Sequence, residues 1–209
     1  MIFDNDGTLV DSELVQHTAM SDELRELGIR LSPSALSVKY RGWKLADQVA
    51  DISKSSENTI DDGLIERFRT RLNRYLAEDL LPTPGIEDAL SLLSEPKCVA
   101  SNAPVQKIRL CLDVTGLTQF FNERYFSAYD VDSWKPEPDL FLHAAASMGF
   151  DRDHCIVVED SVVGVQAAQA AGMRVVAYNP LGLDLPEGGG VLEIAEMAAL
   201  PAAVARLAR

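Results

Sequence analysis

The sequence is short of cysteine, of histidine and of positive charge, and each shortage narrows what the chain can be. Its three cysteines, Cys98, Cys111 and Cys155, are odd in number and lack CxxC spacing. That argues against a disulfide framework and against a zinc site. Cys98 in KCVAS and Cys155 in HCIVVED sit in apolar runs and are expected to be buried small residues. The three histidines, His17, His143 and His154, are expected to be structural or exposed. No apolar run reaches the roughly 18 residues of a membrane span. No basic segment opens the chain, so no signal peptide is expected, and a reducing cytoplasm fits the thiols. The net charge of −13 argues against a broad nucleic-acid-binding surface. It leaves room for an anionic substrate, because a metal ion and a few local cations can reverse the potential inside a cleft.

What is present is a foldable α/β pattern. Hydrophobic residues make up 47% and charged residues 24% of 209 positions, a globular balance that excludes wholesale disorder. The length suits one core domain with a modest insertion. Continuous apolar runs at 1–3, 98–100, 156–158 and 175–178 read as strands buried on both faces of a parallel sheet. Helical patterns of crossover length lie between them, at 86–93, 104–111, 138–148 and 163–171. This alternation predicts a doubly wound parallel sheet. A final strand and helix are expected within 192–207. Only three residues precede Asp4, whereas strands average about 5–6, so a few further residues are expected ahead of Met1.

The stretch from about 14 to 79 has no clear buried strand. Ile65, Phe68, Leu72, Tyr75 and Leu76 recur at helical spacing. It reads as a small inserted helical domain, with residues 15–79 as the insertion and 1–14 plus 80–209 as the α/β core. Pro82-Thr83-Pro84-Gly85 marks the return to the core. The glycines at 188–190 read as a surface loop, and no large apolar face argues against a monomer.

Three strand candidates end in polar clusters: Asp4-Asn5-Asp6, Ser101-Asn102 and Glu159-Asp160-Ser161. Ligands of open α/β sheets bind beyond the carboxyl ends of the strands, so the clusters are expected to share one crevice. Two aspartates at i and i+2 on an extended strand would point the same way. That suits paired carboxylates holding one metal and sharing one reaction. Gly7 would allow a tight turn after them. A plain Asx-rich turn would look similar, and a calcium loop is disfavoured because no EF-hand glutamate follows at the required distance.

Taken together, the clusters resemble a known family. FDNDGTLVDSE is similar to the first motif of the haloacid dehalogenase superfamily of phosphohydrolases. Ser101-Asn102 resembles its second motif, Lys135 in WKPEPDLF its third and Glu159-Asp160-Ser161 in VVEDSVVGVQAAQAAGM its fourth. The helical insertion sits where one branch carries a cap domain, and within that branch the bacterial sugar-phosphate phosphatases are most similar.

The resemblance implies a Rossmann-like core, magnesium and a small phosphorylated metabolite as substrate, either a sugar phosphate or a 6-phosphogluconate-like phosphoester. It implies Asp4 as nucleophile and Asp6 as general acid and base, with a pKa raised by the like charge of Asp4. Asp4, Asp6 through its backbone carbonyl, Glu159 and Asp160 would hold the metal, Glu159 directly or through water. Ser101, Asn102 and Lys135 would bind the phosphoryl group, with Lys135 also neutralising Asp4. Substrate choice would fall to the insertion, where YRGWKLAD offers Arg41, Gly42 and Lys44. Trp43 suits either the insertion's core or the cleft.

Two other activities remain open. A phosphosugar mutase would protect its aspartyl-phosphate from water, but the spacing of His17 from Asp4 is one residue too long for the gating histidine. A non-catalytic binder of phosphometabolites would not need all four motifs intact.

Overall fold

The computed structural model describes residues 1–40, 43, 45–56, 58–188 and 190–208. In chain order the elements are β1 (Ile2–Phe3), α1 (Glu13–Glu26), α2 (Pro33–Tyr40), α3 (Leu45–Ser55), α4 (Leu64–Asp79), α5 (Ile86–Leu92), β2 (Cys98–Ser101) and α6 (Val105–Val114). There follow β3 (Tyr125–Ser127), α7 (Ala128–Val131), α8 (Asp139–Ser147), β4 (Ile156–Glu159), α9 (Val162–Ala170), β5 (Arg174–Tyr178), β6 (Val191–Ile194) and α10 (Leu200–Leu207). The chain divides into two compact units, Met1–Asp11 with Leu81–Arg209, and Ser12–Leu80.

The first unit is a six-stranded, all-parallel sheet in the order β3-β2-β1-β4-β5-β6. It is the doubly wound α/β architecture that the apolar runs predict. The central strands are buried on both faces because helices cover both: Val99, Val157, Val158, Val175 and Val176 are all solvent-excluded. β3 is absent from the apolar pattern, since Tyr125 and Phe126 are only half-buried at the sheet's edge.

Strand order reverses at β1, which pairs with β2 on one side and β4 on the other. Phe3 is level with both Val99 and Val158. The chain therefore leaves β1, β2 and β4 at the same edge, at the topological switch point where such folds bind ligands.

The second unit holds α1 to α4. Leu64, Phe68, Leu72 and Leu76 form the buried stripe of α4, with Ile65 and Tyr75 on its flanks. This stripe packs on α1, where Ala19, Met20 and Leu24 are buried. Glu23 is buried as well, and Arg71 answers it with Nε 2.5 Å from Oε1. None of the described helices is long and apolar enough to cross a membrane.

Candidate active site

β1 ends at Phe3, so Asp4, Asn5 and Asp6 lie just past the strand rather than on it. The Asp4 N–H still bonds the Val158 carbonyl at 3.0 Å, but the chain then turns: Leu9 and Val10 both donate to the Asn5 carbonyl. The strand alternation expected to aim Asp4 and Asp6 alike does not operate. Asp4 keeps one ladder bond and Asp6 lies in the turn that follows.

Lys135 stands at the centre. Its ammonium is 2% exposed and donates to Asp4 Oδ1 at 2.5 Å and to Glu159 Oε1 at 2.8 Å. It also lies 4.8 Å from the Phe141 ring centroid. Its backbone is fixed by Asn102, whose Oδ1 accepts the Lys135 N–H at 3.0 Å. Ser101 Oγ accepts the Ala103 N–H at 3.1 Å. The end of β2 thus anchors the lysine loop as well as facing the crevice.

Glu159 and Asp160 are held from different directions. Glu159 Oε2 accepts from the Ser161 N–H and hydroxyl at 2.8 and 2.9 Å, and Ser161 caps α9 by accepting from Gly164 N–H. The carboxylate lies against the first turn of α9, where the helix dipole favours an anion. A Cβ at position 164 would sit 1.8 Å from its carboxyl atoms, so only glycine fits. Asp160 Oδ1 accepts from Thr8 Oγ1 at 2.9 Å. A Cβ on Gly7, which has φ +83°, would approach Asp160 Oδ2 to 2.2 Å. The glycine therefore serves the turn and the close approach together.

One oxygen each from Asp4, Glu159 and Asp160 lies within 4.8 Å of the others. Three carboxylates thus face one ammonium, a surplus of two negative charges if all are ionised. Burial, with the like charges of Glu159 and Asp6, raises Asp4 to about 7 even against Lys135. Burial, then Glu159 and Asp4, pushes Asp160 well above the usual carboxylate range. Burial would lower Lys135, but Asp4 and Glu159 outweigh it and hold its amine up. A hard divalent cation with oxygen ligands fits this donor set and cancels the surplus. Both Glu159 oxygens already hold protein donors, whereas the Asp160 carboxylate is held on Oδ1 by Thr8.

Asp6 has a partner that the motifs do not reveal. Lys107 Nζ is 2.8 Å from Asp6 Oδ1, so an opposite charge stands beside Asp6 as well as the like charge of Asp4. Burial would lower the Lys107 amine, but Asp6, with Cys111 and Asp4, raises it. A signal was present in the sequence: Lys107 is in the first turn of the helix after Pro104, where the positive helix end disfavours a cation that has no anion to meet.

Elsewhere, Cys98, Cys111 and Cys155 are free and buried. His17 is buried, while His143 and His154 are exposed. Arg41, Gly42 and Lys44 lie outside the described residues. Trp43 is half-exposed and meets Tyr40 edge-on, with ring centroids 5.5 Å apart.

Residues 1–172 match the family model of the haloacid dehalogenase-like hydrolases. The chain is 35% identical over 176 residues to the 6-phosphogluconate phosphatase of Escherichia coli (strain K12), covering 84% of this chain and 80% of that protein. A conserved haloacid dehalogenase-like protein of unknown function from Agrobacterium tumefaciens str. C58 superposes with a TM-score of 0.85 at 32% identity, covering 100% of this chain and 98% of that one. A HAD family hydrolase from Deinococcus radiodurans R1, solved with bound phosphate and sodium, superposes with a TM-score of 0.79 at 27% identity, covering 99% and 94%. The chain belongs to the haloacid dehalogenase-like hydrolases, and it is an enzyme of that family.

Proposed function

We propose that this hydrolase is a magnesium-dependent phosphatase of small phosphorylated metabolites, acting through an aspartyl-phosphate on Asp4. The observation that carries the reading is the buried surplus of carboxylates around Asp4, braced by Lys135. Similarity to a 6-phosphogluconate phosphatase supports a sugar phosphate or phosphosugar acid as substrate.

In this reading Asp4 attacks phosphorus, and the bond to the leaving oxygen breaks as Asp6 gives that oxygen a proton. Asp6 then takes a proton from water as the water attacks the aspartyl-phosphate, which restores Asp4 and releases phosphate. Lys135 holds Asp4 in line and faces the charge that develops on the phosphoryl oxygens. Ser101 and Asn102 flank those oxygens. The Asp4 and Asp160 carboxylates and the Asp6 backbone carbonyl would hold magnesium. Glu159, already bonded on both oxygens, would reach it through water. When bound, the ion neutralises phosphoryl charge.

Residues 15–79 would act as a cap on the core formed by 1–14 and 80–209, with Arg41, Gly42 and Lys44 selecting the leaving group. The free, buried thiols suit a reducing compartment such as the cytoplasm.

The test is phosphate release from a panel of phosphoesters, with and without EDTA, by wild type and Asp4→Asn. Turnover that needs the metal and vanishes in Asp4→Asn is the expected result. Isomerisation with little free phosphate would point to a mutase, and binding without turnover to a non-catalytic protein. Full activity in EDTA would sink the proposal.

A further inference from the structure

Asp4, Lys135, Glu159 and Asp160 brace one another, and a residue outside the four motifs, Lys107, stands against Asp6. A general acid on a turn beyond a strand end needs its carboxyl held in place. An aspartate carboxyl turns about χ1 among three staggered wells and about a broad χ2, and most of those orientations aim it away from any one reacting oxygen. Lys107 lies against it, with Nζ 2.8 Å from Oδ1. The pair is largely out of solvent, with the lysine side chain 14% exposed and the aspartate 31%. The lysine stem is itself anchored. α6 begins at the end of β2, the Lys107 and Ile108 N–H groups both bond the Pro104 carbonyl, and Ile108 and Cys111 are buried beneath. Charge-assisted hydrogen bonds are short and directional, so an anchored ammonium fixes the carboxyl where a water would not. A cation in the first helical turn also opposes the helix dipole, a local cost that the contact with Asp6 offsets.

We propose that Lys107 is a positioning residue for Asp6, holding its carboxyl in the orientation that delivers the proton to the leaving oxygen. The inference rests on the phosphatase reading, with Asp6 as general acid. Lys107 itself neither gives nor takes the proton. The proton passes from Asp6 to the leaving oxygen as the phosphorus–oxygen bond breaks and Asp4 bonds to phosphorus.

A leaving-group comparison separates this role from a structural one. A sugar phosphate expels an alkoxide that needs the proton, whereas p-nitrophenyl phosphate expels a phenolate that leaves without it. kcat/KM covers the steps up to phosphoryl transfer and is insensitive to later hydrolysis of the aspartyl-phosphate. Lys107→Met is expected to lower kcat/KM on the sugar phosphate by about tenfold to hundredfold, part of what a general acid contributes. On p-nitrophenyl phosphate the loss should stay within about threefold, well short of that acid term. Lys107→Arg, which restores a cation at that place, should recover most of the sugar-phosphate rate.

Asp6→Asn serves as the reference for the reading beneath. If it shows the leaving-group bias and Lys107→Met does not, positioning by Lys107 is overturned while the phosphatase reading stands. If Asp6→Asn lacks the bias, the acid assignment falls, and this inference falls with it. Equal losses on both esters in Lys107→Met, unrepaired by Lys107→Arg, mean that the lysine serves only the fold and also overturn the proposal.

Discussion

The α/β unit and the helical unit each bury an ion cluster, and the two clusters end in opposite electrostatic states. In the helical unit the buried anion is Glu23 on α1. Arg71 and Arg67 on α4 flank it, at 2.5 and 3.4 Å. The remaining carboxylates that these arginines touch, Glu26 and Asp61, stand 60% and 50% exposed, where water solvates them. The cluster is satisfied by its own residues and ties two helices together. In the α/β unit Asp4, Glu159 and Asp160 gather in one cluster, and Lys135 pairs with Asp4 and Glu159, which are buried beside it. Folding does not favour such a surplus, because like charges out of water repel strongly. A balanced buried cluster reads as a strut, and an unbalanced one as a place made for something else.

The sharpest way to break the contrast is to disturb one cluster's geometry without changing its charge. Gly164→Ala drives a methyl group into the Glu159 carboxylate, which must move and take Lys135 with it. Misplacement of about 1 Å in a reacting array costs on the order of a hundredfold. kcat/KM should fall by about that factor with circular dichroism unchanged. A fully active Gly164→Ala chain would show that the Glu159–Lys135 contact does not set the geometry.

The helical cluster predicts the converse. Arg71→Met leaves Glu23 its longer contact to Arg67, and should cost about 2 kcal/mol in denaturant unfolding, discounted from a fully buried pair because Arg71 is partly exposed. Activity per folded molecule should not change. An activity loss at full stability would move this cluster from the structural to the functional side.

The smallest effect is on pH. Folded Asp4 is raised to about 7 from an unfolded value of 3.8, and Asp160 is raised as well. Between those values the folded state keeps protons that the unfolded chain has released. Its contribution to stability is therefore present below about pH 4 and lost as pH rises through about 7. Metal-free wild type should lose more melting temperature across that window than Asp4→Asn, and magnesium should remove the difference. Matching slopes in the two metal-free chains would mean that the carboxylates are not crowded.

Much of the α/β unit was legible because its physics is local. Val157 and Val158 or Val175 and Val176 announce strands buried on both faces, and the polar residues that follow mark the edge where such strands stop. β3 was not, because an edge strand of three half-buried residues leaves no apolar run. The four motifs pointed to Asp4, Ser101, Asn102, Lys135, Glu159 and Asp160; the structure gathers Asp4, Lys135, Glu159 and Asp160, and Asn102 fixes the Lys135 backbone. Lys107 was missed because its partner is 101 positions away: its place in a helix's first turn hints at an anion nearby but does not say which one. The strand expected to carry Asp4 and Asp6 is shorter than the apolar pattern implied: β1 ends at Phe3, and Asp6 lies in the turn beyond it.

The central claim is that the surplus around Lys135 is made for a divalent cation, and calorimetric titration of magnesium at neutral pH tests it most directly. Metal-free wild type and Asp160→Asn would be compared in buffers of different ionisation enthalpy. One ion per chain is expected in wild type, with protons released on binding because crowded carboxylates give them up to the metal. In Asp160→Asn, affinity should drop by at least about tenfold and proton release should shrink. Equal affinity in the two chains, or no binding by wild type, would contradict the account.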